Sequence, residues 1–276
     1  MRRVSRPLIV LSEDPTLAER MRDAAGERFE VDTAEGWDEL ADAVWRAPPA
    51  AIALVDPYLG QNRRWGGPSP RLYRILQEFP SATVVAALEV GPESGHDLRL
   101  LTEWGVAEIL QLEADRTSEA VVERLLSARS RFMRDLLEGE GTEGRLHLTG
   151  RARSLIDAAI DTVMTGGNPR DLADALGFSP STLLRWCKRS QLPPPRRLLL
   201  WMRMVFASAL LDDPGHNIST VGQACGYSGD QAFRRALRAV LPYTPGELRE
   251  RGAFATVSTA FFEELARLSD DEAQRR

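Results

Sequence analysis

Two sets of polar side chains recur at spacings suited to hydrogen bonding with the base edges and phosphates of a duplex. The first is Ser181, Thr182, Arg185, Lys188 and Arg189, and the second is Ser228, Gln231, Arg234, Arg235 and Arg238. A guanidinium can grip guanine through two N–H groups, and a Gln amide can match adenine in the same way. Side chains early in a helix that enters a groove reach base edges, and the remainder meet the backbone. Thr182, Arg185, Gln231 and Arg234 are therefore the expected base readers. Lys188, Arg189, Arg235 and Arg238 are expected on phosphates.

Such side chains need rigid helices to aim them. The stretch from Ile218 to Arg249 predicts three. A first helix begins after Asn217, with Val221 and Ala224 on its apolar face and Gly222 where a second helix crosses closely. Gly226 marks a sharp turn that favours positive φ. Tyr227 and Ser228 are expected to enter the second helix, in which Ala232, Phe233, Ala236 and Leu237 recur at helical spacing. Thr244-Pro245, with Glu247 close behind, starts a third. A second copy lies upstream between Asp171 and Arg189, with Ala173 at the crossing, Gly177 at the turn, Leu183 in the packing position and Asn168-Pro169 as start signal. Between the copies, Leu198 to Leu211 is apolar almost all round and predicts a buried central helix. Ahead of them, Ala152, Leu155, Ile156, Ala159, Ile160, Val163 and Met164 mark a bracing amphipathic helix.

The order of LA…LG.S..TL.R..K, a long helix ending in A..LL, and then GY, F and TP in register resembles the AraC/XylS family of bacterial transcription regulators over about residues 151–251. The resemblance implies an all-α tandem helix-turn-helix domain, double-stranded DNA as partner and transcription regulation as function. The chain departs from the family at Pro242, where Gly is usual, at Cys187 and Leu237, where aromatics are usual, and at Leu184, where Gln is frequent.

The charge distribution agrees. The chain has a net charge of −5, yet residues 151–251 hold 14 Arg and Lys against 9 Asp and Glu, whereas residues 1–150 hold 18 against 26. Phosphate binding depends on the local field, so a basic module carried by an acidic one remains compatible with DNA. At 276 residues, 43% hydrophobic and 27% charged, the composition is that of a globular protein with room for two cores. Leu8 to Leu11 is too short for a signal-peptide core or membrane span. Cys187 and Cys225 have no partner at metal spacing, and a reduced, cytoplasmic protein is expected.

The acidic half alternates strand and helix. Leu8–Leu11, Phe29–Thr33, Ala51–Val55, Thr83–Leu88 and Glu108–Leu112 predict strands, four of them nearly continuous in apolar residues as strands buried on both faces are. Amphipathic stretches between them, and a fifth from about Asp115 to Leu137, complete five βα units. The expected fold is an α/β doubly wound parallel five-stranded sheet of flavodoxin-like type, in the order 2-1-3-4-5, followed by the all-α domain.

This half resembles the receiver domain of response regulators. The resemblance makes Asp56, in ALVDPYLG, the possible phosphoacceptor, and Glu13 and Asp14 possible Mg²⁺ ligands with it, while Ser12 stands where a further Asp is expected. The hydroxyl position reads Ala87 and the lysine position Leu112; the only lysine in the chain is Lys188. Arg116 lies several residues downstream, and its planar fork differs from an ammonium point charge. Without a hydroxyl and a Lys, the expectation is a pseudo-receiver that is not driven by phosphorylation. Read locally, Asp56 instead caps the turn that follows it, and Glu13 and Asp14 precede a helix whose first turn favours negative charge.

The expected organisation is a receiver-like domain over 1–137, a linker over 138–150, the DNA-binding domain over 151–251 and a helical extension with tail over 252–276. The loop after Asp56, with Arg63, Arg64 and Trp65, reads either as a plain surface loop or as a contact with a protein partner, a second subunit or the DNA-binding domain. Phe254, Val257, Phe261, Leu265 and Leu268 predict an extra helix past the family resemblance. No cofactor is expected. Alternatives to a pseudo-receiver regulator are a phosphorylation-driven regulator using Asp56 and an interaction adaptor that does not bind DNA. An enzyme is the least supported class. Alkyl-accepting repair domains, which occur joined to such units, need a thiol that the N-terminal half lacks, and His96, His147 and His216 are scattered without metal or nucleophile spacing.

Overall fold

The protein is described from a computed structural model covering residues 6–274 other than 27–28, 48–50, 62–66, 80, 90, 92–93, 112–119, 123, 126, 129–147, 165 and 214–215. Several expectations fall outside these residues: the loop with Arg63, Arg64 and Trp65, the lysine position Leu112, Arg116, most of the linker, and the stretch of the fifth helix with Phe132, Met133 and Leu136. The chain divides into two compact units, residues 1–129 with 213–216 and residues 130–212 with 217–276.

The first unit is a five-stranded, wholly parallel sheet built from β1 (Arg6–Leu11), β2 (Phe29–Ala34), β3 (Ile52–Val55), β4 (Thr83–Leu88) and β5 (Glu108–Gln111). Its order is β2-β1-β3-β4-β5, the flavodoxin-like doubly wound order. Leu8 stands opposite Val31 on one side and Ile52 on the other, which fixes the register across the three strands. Every residue of β3 and β4 is buried, because helices cover both faces. One face packs Leu40, Leu72, Ile75 and Leu101 from α2 (Trp37–Arg46), α3 (Pro70–Glu78) and α4 (Gly95–Trp104). The other packs Leu17 and Met21 of α1 (Pro15–Ala25) with Val121, Val122, Leu125 and Ala128, which are described within the expected fifth helix.

The second unit is all helix: α5 (Gly150–Met164), α6 (Pro169–Ala175), α7 (Pro180–Arg189), α8 (Pro195–Asp212), α9 (Ile218–Ala224), α10 (Asp230–Arg238), α11 (Pro245–Glu250) and α12 (Ala253–Gln274). α8 is its axis. Twelve of its residues are buried, including Trp201, Met202, Val205 and Phe206, since α5, α6, α7, α9, α11 and α12 all pack on it. No described helix is both long and apolar enough to cross a membrane.

α12 extends past the region of family resemblance and buries Val257, Phe261 and Leu265 in the same core. Its start is fixed by Asp212 at the end of α8, whose carboxylate accepts from the backbone N–H groups of Ala253 at 2.7 Å and Phe254 at 2.8 Å. Those amides lack partners within their own helix, so the cap ties both helices at one point.

Candidate nucleic-acid interface

Each recognition helix is set by a start signal, a glycine turn and a buried face. In the first unit, Asn168 caps α6 in a capping box with Asp171, and Gly177 turns the chain at φ +66°. Ser179 then caps α7: its hydroxyl accepts from the Thr182 amide at 3.2 Å. Leu183 and Cys187, four residues apart and each 1% exposed, point α7 into the core. That burial leaves Ser181, Leu184, Arg185 and Lys188 exposed along the opposite stripe, with Arg189 exposed beside them. Thr182 is half-buried, and its hydroxyl lies 2.9 Å from that of Ser179, so it completes the cap as well as bordering the outer face.

In the second unit, Asn217 caps α9, accepting from the Thr220 amide at 2.9 Å, and Gly226 turns at φ +82°. A Cβ on Gly222 would stand 3.3 Å from Cβ of Phe233, which accounts for the small residue at the crossing. Phe233 and Leu237 are buried. Gln231, Arg235 and Arg238 are exposed and Arg234 is half-buried, on the stripe that corresponds to Ser181, Arg185, Lys188 and Leu184.

One expectation needs correction. Tyr227 and Ser228 do not enter the second recognition helix, which starts at Asp230 behind Gly229 at φ +155°. Two residues separate Gly177 from α7, whereas three separate Gly226 from α10. The additional residue occupies a backbone conformation that side chains avoid, so glycine holds it. Ser228 is exposed, but it sits in the turn. Tyr227 packs its ring 5.7 Å from that of Phe233, and burial pushes its phenol up to about 12.

Both cysteines are core residues of this unit. Burial pushes the Cys187 thiol up to about 11, which makes it a packing group rather than a nucleophile.

In the first unit, Asp56 directly follows β3 and is 6% exposed. Its amide donates to the Leu11 carbonyl at 2.7 Å, and its carboxylate accepts from the Tyr58 amide at 2.9 Å, in the turn-capping arrangement. The Tyr58 hydroxyl donates to Asp97 at 2.9 Å. Asp14 is the N-cap of α1, accepting from the Thr16 amide at 2.9 Å and the Thr16 hydroxyl at 2.7 Å, and these bonds hold its carboxyl below the usual range. Glu13 is exposed. Among the described residues no group of three or more His, Cys, Asp or Glu side chains is placed to hold a metal ion. Ala87, at the hydroxyl position, is 1% exposed and its methyl side chain offers no hydrogen bond.

Sequence reasoning did not anticipate three groups that hold this interface. Asp212 caps α12, Arg197 pairs with Glu264 across α8 and α12, and Arg203 donates to the Gly167 carbonyl at 2.5 Å ahead of α6. Each acts between segments far apart in sequence, so local spacing carried no signal for them.

Residues 172–251 match the family model described as a helix-turn-helix domain. No curated protein matches the chain. Among solved structures, the response regulator StyR, determined at low resolution, is similar at 17% identity with a TM-score of 0.29, over 71% of this chain and 97% of that one.

Proposed function

We propose, from the match of residues 172–251 to a helix-turn-helix domain and the AraC-type resemblance of the sequence around it, a DNA-binding transcription regulator whose two helix-turn-helix units read successive major-groove segments of one site. The observation that carries this reading is the matched pair of exposed stripes on α7 and α10, each aimed by an apolar face buried in the one core that is built around α8. Two units braced on one helix suit segments about one duplex turn apart, with DNA bending to meet both. Base contacts fall to Thr182, Arg185, Gln231 and Arg234. Phosphate contacts fall to Lys188, Arg189, Arg235 and Arg238, with Ser181 and Ser228 at the borders. Binding to chromosomal DNA implies a cytoplasmic protein.

The first unit acts as a pseudo-receiver that docks a partner or a second copy rather than answering to phosphate. The turn-capping role of Asp56 and the buried Ala87 at the hydroxyl position support that assignment, because a phosphoryl group would meet neither a rotating hydroxyl nor a local lysine.

The test is selection from a random duplex pool with the full chain, followed by affinity measurements over a salt series with and without acetyl phosphate and Mg²⁺. Two submotifs about one turn apart, with affinity unmoved by acetyl phosphate, are expected. Enrichment of no sequence would favour the adaptor reading, and acetyl-phosphate labelling lost in Asp56→Asn would favour a phosphorylation-driven switch.

A further inference from the structure

Leu184 lies in the second turn of α7, 51% exposed, while its neighbour Leu183 is 1% exposed. It is the one large apolar side chain of the second unit that is exposed among the described residues. It stands midway along the outward stripe, on the edge nearer the buried face, one turn from Ser181 and Lys188 and adjacent to Arg185. At the corresponding place in α10 stands Arg234. Of the four positions of the stripe, this one separates the two recognition helices most sharply in chemistry, with leucine in α7 and arginine in α10.

We infer that Leu184 is a specificity-determining residue that packs on the C5-methyl of a thymine in the first half of the site. The major groove offers one apolar group, the thymine methyl, and it is read by apolar contact. The flanking charges decide between DNA and a protein as occupant. Arg185 and Lys188 both adjoin Leu184 and are both exposed. An apolar protein patch over Leu184 would have to desolvate these cations, whereas DNA supplies phosphates for the cations and a methyl for the leucine in one surface. With arginine at the matching place, the second half of the site is read by hydrogen bonding instead, so the two halves of the operator differ in base type.

This inference rests on the DNA-reading function proposed above. Its test uses the full chain and the duplex selected by it, with each thymine of the first submotif replaced singly by deoxyuridine, which removes the methyl alone. One replacement is expected to weaken the wild-type protein about fourfold, the equivalent of one buried methyl. Leu184→Ala is expected to bind the dT and dU duplexes equally, and Leu184→Met to keep the discrimination. The half-exposed position lets both variants fold, which circular dichroism checks. A first submotif without thymine, no dU effect in the wild type, or a dU effect undiminished in Leu184→Ala would each overturn the role of Leu184 while leaving DNA binding intact. Selection of no site at all would overturn the DNA reading itself, and this role with it.

Discussion

Arg197 and Glu264 meet in a two-point clasp, with Nε 2.6 Å from one carboxylate oxygen and Nη2 2.5 Å from the other. The third arm of the same guanidinium donates to the Ala239 carbonyl at 3.3 Å, just past the end of the second recognition helix. One side chain thus joins the central helix, the C-terminal helix and the base of α10. Burial alone would raise the Glu264 carboxyl, but the hydrogen bonds and charge of Arg197, together with Trp201 and the charge of Arg267, outweigh it, and the group titrates below its ordinary 4.5. Glu264→Gln is expected to lower stability at neutral pH by about 1 kcal/mol, the upper end for a partly exposed pair. A carboxylate with a depressed pKa stabilises the fold above its unfolded value and loses that contribution as pH falls through the folded one. The difference between wild type and Glu264→Gln should therefore shrink as pH drops below 4.5. Urea melts across pH check this; a constant difference would assign the loss to packing.

Removing a phosphate contact and removing a base contact should leave different signatures. Arg238→Ala is expected to weaken all duplexes alike and to reduce the salt slope by about 1. Arg185→Ala is expected to lose about 1–3 kcal/mol and to relax preference at one position of the first submotif. Affinities for the selected and scrambled duplexes over a salt series separate the two.

The turns and caps of this interface were legible because they make local demands. Gly177 and Gly226 stand at positive φ, and Asn168, Asn217 and Thr244 each accept from a first-turn amide, so residue type alone announced them. The five strands were equally legible from their apolar runs. The start of α10 was not, because an added turn residue leaves the helical spacing of Phe233 and Leu237 untouched and shifts only where the spacing begins. The exposure of Leu184 could be read only after Leu183 and Cys187 had fixed the buried face of α7, since the pair Leu183-Leu184 fits either rotation.

Tyr227 is half-buried, and its hydroxyl oxygen is buried with no hydrogen-bond partner among the described residues. Desolvation of such a group opposes folding, so Tyr227→Phe should leave the melting temperature unchanged or raise it, by up to about 1 kcal/mol in stability. Loss of stability in this variant would reveal a polar partner for the hydroxyl.

Cys187 and Cys225 should resist alkylation in the folded protein at about pH 8, since thiolate is the reactive form and burial suppresses it at Cys187. Both should react once the chain is denatured. Mass spectrometry after iodoacetamide treatment, with and without urea, checks this, and fast labelling of Cys187 in the native state would show that α7 opens locally.

The longer turn before α10 sets an indexing rule for any exchange of specificity between the two units. If they are aligned on their turn glycines, Leu184 falls on Phe233, a residue with no exposure, and Leu183 falls on the half-buried Ala232. Each residue of offset turns a helix by about 100°, so a graft made in that alignment would screw its reading face into the core. Shifted by the one residue that Gly229 represents, Ser181 maps to Gln231, Leu184 to Arg234, Arg185 to Arg235 and Lys188 to Arg238. Chimaeras of the two half-site specificities must be cut in that frame.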